Sequence, residues 1–499
     1  MRLILTPLAA AVAVAYTASA YAADTTTITQ QGTNNTVATD QVNSNTSTIT
    51  ITQSGDSNHV GQQGVSFGAM QNGTVGGSLS ISQTGQGNTG FAQQYNSSQV
   101  TADIQQSGQS NASTINQSAT QNTDAHVHQD GANNSGTFNQ SSVSNTGMTF
   151  GMNFANNTVD QHGTGNSGTV SQNGTLNSGA TLHQNGTNNT GTVNQWNQAG
   201  TTQDQINQAE LAQSGAFNKA TINQSGNVGS TGEIHQGIYG STDQYAQGNT
   251  ATVNQYGNTN TLGDSHQNGT NGSTQINQNG NNGASTVLLQ YGSNSTGNVE
   301  QSNNLNATVF VKQGSAYDFA FAADNSQVNV SQDSVQNTNA FVVQNGNSLA
   351  ATVTQNAGTN NSDANVNQHG YNDTAAAIQS NVANGEAIIR QGLNSWSTNS
   401  SATINQQSGS FLTASIDQTG DQQTGTINQE GSYLTASLNQ SGASDVALVT
   451  QYGSNNSASV VQIGSGGAAN NATINQSASN YVASVTQNGA GNSAMVSQR

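Results

Sequence analysis

Glutamine returns along this chain at nearly constant intervals, and that recurrence limits the fold more than any other feature. Gln418, Gln429, Gln440, Gln451 and Gln462 are spaced by 11 residues, while Gln267, Gln278, Gln290, Gln301 and Gln313 alternate between 11 and 12. Each glutamine closes the same seven-residue phrase: Asn, x, small, x, aliphatic, x, Gln. Asn470-x-Ala472-x-Ile474-x-Gln476 and Asn218-x-Ala220-x-Ile222-x-Gln224 are two copies, and a glycine such as Gly226, Gly420 or Gly442 usually follows two residues later. About 35 such units fit between Gln30 and Gln498.

Alternation with period two puts the Asn, small, aliphatic and Gln positions on one face of a β-strand. The other face carries Thr, Ser and Asn, as at Thr473 and Asn475. The four or five residues left over contain Gly with Asn, Ser or Ala, which is turn chemistry. Helix is disfavoured, because the aliphatic residues are too sparse for a 3.6-residue stripe and Thr, Asn and Gly are poor helix formers.

One aliphatic and one small inward residue per strand cannot make a core alone. The expected fold is therefore all-β: a cross-β-like solenoid whose rungs are strand-turn-strand units of about 22–23 residues, roughly 20 rungs in all. Stacking would set Ile or Val on Ile or Val, Gln on Gln and Asn on Asn, and hydrogen bonds between stacked amides would offset the cost of burying them.

Composition agrees with a repeat more than with a globular core or a coil. Hydrophobic residues make up 31% of the 499 and charged ones only 6%, with one Pro and no Cys. Disulfides and thiolate-bound metal are excluded. Five Lys and Arg against 23 Asp and Glu leave no basic surface for phosphate, so nucleic acid is not an expected partner.

Residues 1–22 read as a secretory signal peptide: Met1-Arg2, then Leu, Ile, Ala and Val over 3–16, then Ala20-Tyr21-Ala22 as the cleavage pattern. The mature chain is expected to be exported, with no later run long enough to span a membrane. Residues 23–499 are expected to form one continuous solenoid with irregular stretches near 62–80, 141–158, 196–211, 237–250, 314–329 and 392–401. Met148, Phe150 and Met152 stand in one of these, and Tyr317 to Phe321 in another. The last unit runs to Gln498 and the single proline is Pro7, so no polar cap or proline is expected to close the rungs.

The unit from Gln487-Asn488-Gly489 through Asn492, Ala494 and Val496 to Gln498 resembles the curlin repeat of curli subunits, secreted bacterial proteins that polymerise into amyloid fibres on the cell surface. The resemblance extends over nearly all of 24–499, although this chain carries several times the usual number of repeats. Its first unit, Ile28-x-Gln30-x-Gly32, follows the cleavage site almost at once. The resemblance implies self-assembly into curli-like fibres for adhesion and biofilm matrix, with a nucleator subunit and an outer-membrane export channel as further partners. It also implies that the repeat amides support polymerisation, here Gln429, Gln440, Gln451, Asn456, Gln462, Asn470, Gln476, Gln487, Asn492 and Gln498.

No catalytic constellation is expected, and no cofactor. The eight histidines show no His-Glu-x-x-His pattern. His126-x-His128 sits at strand spacing and is expected to be a solvated pair, because no further ligand accompanies it in the sequence. Trp196 and Trp396 read as isolated. Two other functions stay open: a monomeric binding solenoid, on the strength of outward Thr-x-Asn pairs such as Thr114-x-Asn116 and Thr192-x-Asn194, and a disordered Gln/Asn-rich matrix protein.

Overall fold

The computed structural model describes residues 24–61, 68–144, 157–199, 207–237, 246–314, 323–392, 396–465 and 467–499. The expected signal segment and residue 23 lie outside them, as do Met148, Phe150 and Met152, residues 317–321, and part of each of the six irregular stretches. The chain forms two compact units, Met1–Ala246 and Gln247–Arg499. Every described element in both is a β-strand. The described residues wind as a β-solenoid of about 19 turns, close to the number expected.

In the first unit, strand Thr25–Gln31 pairs in parallel with Thr48–Asp56, which pairs in turn with Ser78–Gln86. The register places Ile28 on Ile51, Ile81 and Ile104, and further along Val127 on Val159, Leu182, Leu211 and Ile234. A second parallel sheet faces the first and stacks Ile115, Phe138, Val170, Val193 and Ile222. Strand Thr48–Asp56 shows why the sequence folds this way: Ile49, Ile51 and Gln53 are buried, and Thr48, Thr50 and Thr52 between them are exposed.

The second unit repeats the plan. One sheet stacks Leu288, Val311, Val342, Val366, Ile389, Ile416, Leu438, Val460 and Val485. The other stacks Val253, Ile276, Val299, Val330 and Val353, and farther on Ile404, Ile427, Val449 and Ile474.

The small position of the repeat is where the two sheets approach. A Cβ on Gly136 would stand 2.6 Å from Cγ1 of Val127, and one on Gly297 would stand 2.8 Å from Cδ1 of Leu288. The aliphatic side chain of one sheet thus fills the gap left by Gly or Ala on the other. The glycine after Gln has a different task. Gly108 holds φ of +109° at a corner, and a Cβ there would lie 2.0 Å from the carbonyl oxygen of Gly131 one turn on.

The described borders of two of the irregular stretches keep the repeat register. Asn207–Ala216 is an ordinary strand in register with Ser178–Thr187. Gln313 faces Gln344 and Ala323 faces Gly346 of the same strand, so the register is kept on both sides of that stretch. Near another, Trp396 stacks on Tyr371 with ring centroids 5.1 Å apart, which corrects the expectation that this tryptophan stands alone. No helix among the described residues is long and apolar enough to cross a membrane.

Candidate functional site: the amide ladders

The longer strands deliver their template glutamine to the space between the sheets, directly over the glutamine one turn earlier. In the first unit a column runs from Gln30 through Gln53, Gln83, Gln106, Gln129, Gln161, Gln184 and Gln213 to Gln236, with Nε2 of each donating to Oε1 of the next at 2.7–2.9 Å. A second column runs from Gln41 to Gln224 in the same way.

The sequence-predicted glutamines fall into two such columns of the second unit. Gln429, Gln451, Gln476 and Gln498 form one, with Nε2–Oε1 distances of 2.9, 2.9 and 2.8 Å. Gln440, Gln462 and Gln487 form the other, at 2.9 and 2.8 Å. Gln429 to Gln487 are all buried, while Gln498, in the last described strand, is half-buried.

The second N–H of each amide reaches across the core to the other sheet. Gln440 Nε2 donates to the Thr424 carbonyl at 3.0 Å, Gln451 to Thr435 at 3.0 Å, Gln462 to Val446 at 3.1 Å and Gln487 to Asn471 at 2.9 Å. Both donors and the acceptor are therefore satisfied out of water, which removes the desolvation penalty of the amide. Backbone carbonyls carry no residue signature, so the repeat template did not reveal this clasp. The 16-residue offset from these four glutamines back to the opposing strand, 19 at Gln476, is the signal that would have found it.

The predicted asparagines bond to backbone more often than to one another. They lock corners. Asn456 Nδ2 donates to the carbonyl of Tyr452 at 2.8 Å and to that of Ala478 on the next turn at 2.6 Å, while its Oδ1 accepts the Tyr481 N–H. Asn470 Nδ2 likewise reaches the Gly489 carbonyl, and its Oδ1 accepts the backbone N–H of Asn492 at 3.0 Å. Direct amide-to-amide bonds between template asparagines occur at Asn492 to Asn470 and Asn88 to Asn58, but bonds to backbone predominate. The reason is geometric: Asn is one methylene shorter than Gln and sits beside the turn, within reach of the carbonyl four residues back.

Two positions in the Asn470 column hold a carboxylate instead. Asp373 accepts from the Ser397 hydroxyl and the Ser400 N–H, and Asp445 accepts from Asn470 Nδ2 at 2.9 Å. Burial pushes both carboxyls above the ordinary aspartate range.

The outward face of one sheet in the first unit gathers histidines and acids. His126 Nδ1 lies 3.8 Å from Asp103, and His128 Nδ1 lies 3.0 Å from Asp160 Oδ1. His162 and His183 also face Asp160, and His235 faces Glu210 at 3.6 Å. This corrects the expectation of an unaccompanied His126–His128 pair. The companions come from strands stacked on either side, where a search for linear motifs does not look. Burial raises the Asp160 carboxyl, but the His183 hydrogen bond and the His162 and His128 charges outweigh it and leave the group below the usual range.

Residues 434–464, which include Gln440, Gln451, Asn456 and Gln462, match the family model of the curlin associated repeat. No curated protein matches the chain.

Proposed function

We propose, from its membership of the curlin-repeat family, that the chain is a secreted structural protein that self-assembles into curli-like amyloid fibres for surface adhesion and biofilm matrix. One observation carries the reading: the same kind of contact between turns recurs through both units. A glutamine column, a mainly aliphatic column and a row of backbone hydrogen bonds meet like groups one turn on, with interruptions such as Ser265 against Leu288 and Ala377 against Val353. A surface that matches its own translated copy is the requirement for open, head-to-tail addition. Any turn face without a neighbour in its own chain offers that template to another molecule. Gln429, Gln440, Gln451, Asn456, Gln462, Asn470, Gln476, Gln487, Asn492 and Gln498 are proposed as residues that sustain the ladder in the fibre, with a nucleator subunit and an export channel as partners outside it.

The test is to purify residues 23–499 and follow thioflavin fluorescence and fibre diffraction. Seeded conversion with a 4.7–4.8 Å reflection is expected. A persistent monomer without that reflection would remove the polymer reading. Replacing Gln476, Gln487 and Gln498 together by Ala is expected to slow assembly, and unchanged kinetics would show that this ladder is not used for growth. A monomeric binding solenoid is the second reading, favoured by the outward column Thr114, Thr137, Thr169, Thr192 and Thr221.

A further inference from the structure

We propose that the outward face of the first unit binds a divalent transition-metal ion of the zinc class through His128 Nδ1, Asp160 Oδ1 and His162 Nε2. The three ligand atoms lie within 4.8 Å of one another. His128 Nδ1 is 3.0 Å and His162 Nε2 is 3.2 Å from the same carboxylate oxygen. A tetrahedral zinc with bonds of about 2.0–2.1 Å sets its ligand atoms about 3.3 Å apart, so these separations are near those of an assembled site. Two imidazoles and a carboxylate without thiolate suit zinc, nickel or copper(II) more than calcium or magnesium.

The placement follows from the solenoid. His128 lies on strand Gln121–Ala132, and register sets it directly against Asp160 of strand Thr158–Thr164. Period two then brings His162 to the same outward face. The two rings meet edge to face with centroids 5.4 Å apart. One carboxylate facing several imidazoles is an uneconomical ion pair but an ordinary ligand set, since a cation takes a lone pair from each ring and from the carboxylate together.

The surrounding groups are those that orient metal ligands. Asp130 Oδ2 lies 3.9 Å from His162 Nδ1, the nitrogen turned away from Asp160. His183 Nδ1 lies 3.4 Å from Asp160 Oδ2, the oxygen left over from the ligand set. Carboxylate and histidine partners of this kind set ring orientation and ligand basicity. The side chains of His128 and His162 are each 44% exposed, so an ion has access and water can complete its coordination. The two strands are 32 residues apart at this contact, where 23 separates His126 from Asp103 in the turn before. A bound ion would therefore tie together the turns on either side of an unusually long connection.

The experiment is calorimetric titration of the soluble full chain with zinc chloride, and of a His128→Asn/His162→Asn double variant. The variant is expected to bind one zinc fewer per chain, with its far-ultraviolet circular dichroism unchanged because both side chains point outward. Asp130→Asn should weaken the site about tenfold. Equal stoichiometry and affinity in the double variant would overturn the assignment. Should that variant fold poorly, the wild-type chain decides: zinc is expected to protect His128 and His162 from diethylpyrocarbonate, and equal modification with and without zinc would refute the site. Neither result depends on whether fibres form.

Discussion

Replacing Gln440 by Met isolates what one ladder rung contributes. The two side chains have similar length, so the cavity term is small. Gln440 is fully buried; its Oε1 accepts from Gln418 Nε2 at 2.8 Å, and its Nε2 donates to Gln462 Oε1 at 2.9 Å and to the Thr424 carbonyl at 3.0 Å. Met leaves all three partners unmatched in a dry core. At about 1–3 kcal/mol for each stranded group, less the gain from no longer burying an amide, the net cost is about 3–5 kcal/mol. Gln498→Met is the internal comparison: that side chain is half-buried with two bonds, so water can replace them and the cost should be about 1 kcal/mol or less. Solenoids open turn by turn, so a single global midpoint would blur the effect. Site-resolved hydrogen exchange over the strands around Gln429, Gln440 and Gln462 is the appropriate assay. Protection there should fall by about a hundredfold to a few thousandfold in Gln440→Met, at tenfold per 1.4 kcal/mol. A loss below threefold, or an equal loss in Gln498→Met, would refute the claim that the amide bonds hold adjacent turns together.

Three further outcomes are expected. Asp445→Asn restores the template residue in its corner column and should stabilise the chain by about 1 kcal/mol at neutral pH, read as a rise in melting temperature. Burial raises the folded-state carboxyls of Asp373 and Asp445 above 3.8, so the folded chain holds these protons more tightly than the unfolded one; stability from them is greatest below that value and declines as pH rises through the raised values, and the double Asp→Asn variant should flatten that decline in melts taken across the range. Gly136→Ala drives a Cβ to 2.6 Å from Val127 Cγ1 and should cost about 1–3 kcal/mol; adding Val127→Ala should relieve the clash, giving a favourable coupling in a double-mutant cycle, whereas additive losses would show that the two sheets do not meet there.

What the sequence disclosed depended on whether a group's partner has a residue signature. Gln440 and Gln462 were legible as stacked neighbours because both ends of the bond are glutamine. The clasp from Gln440 to the Thr424 carbonyl was not, because any residue supplies a carbonyl. The asparagines were located, and Asn492 does bond Asn470 as a stacked amide, but their more numerous bonds to backbone were not legible, since spacing reports the face of a strand and not how far a side chain reaches into a corner. His128 and Asp160 look unrelated at a separation of 32 residues. They meet only once the register, and the longer connection within it, is known. A similar limit applies at Gln236-Gly237, Gln313-Gly314 and Gln391-Gly392, where glycine follows glutamine directly and has φ of 75–84°, lower than the 96–135° found at Gly108, Gly346, Gly453 and similar corners. That displaced glycine was visible beside three of the irregular stretches, and its meaning emerged only from the backbone.

The glutamine columns have an arrow. In each unit every side-chain N–H along the column points toward higher residue numbers and every C=O toward lower ones, so the bonds polarise one another in one sense. A stack extended by this contact has unlike extremities, one offering hydrogens and the other lone pairs. Joining two like extremities would set amide hydrogens against amide hydrogens. Assembly by this route is therefore vectorial: the two tips should lengthen at different speeds, and a ligand that blocks one should leave the other active.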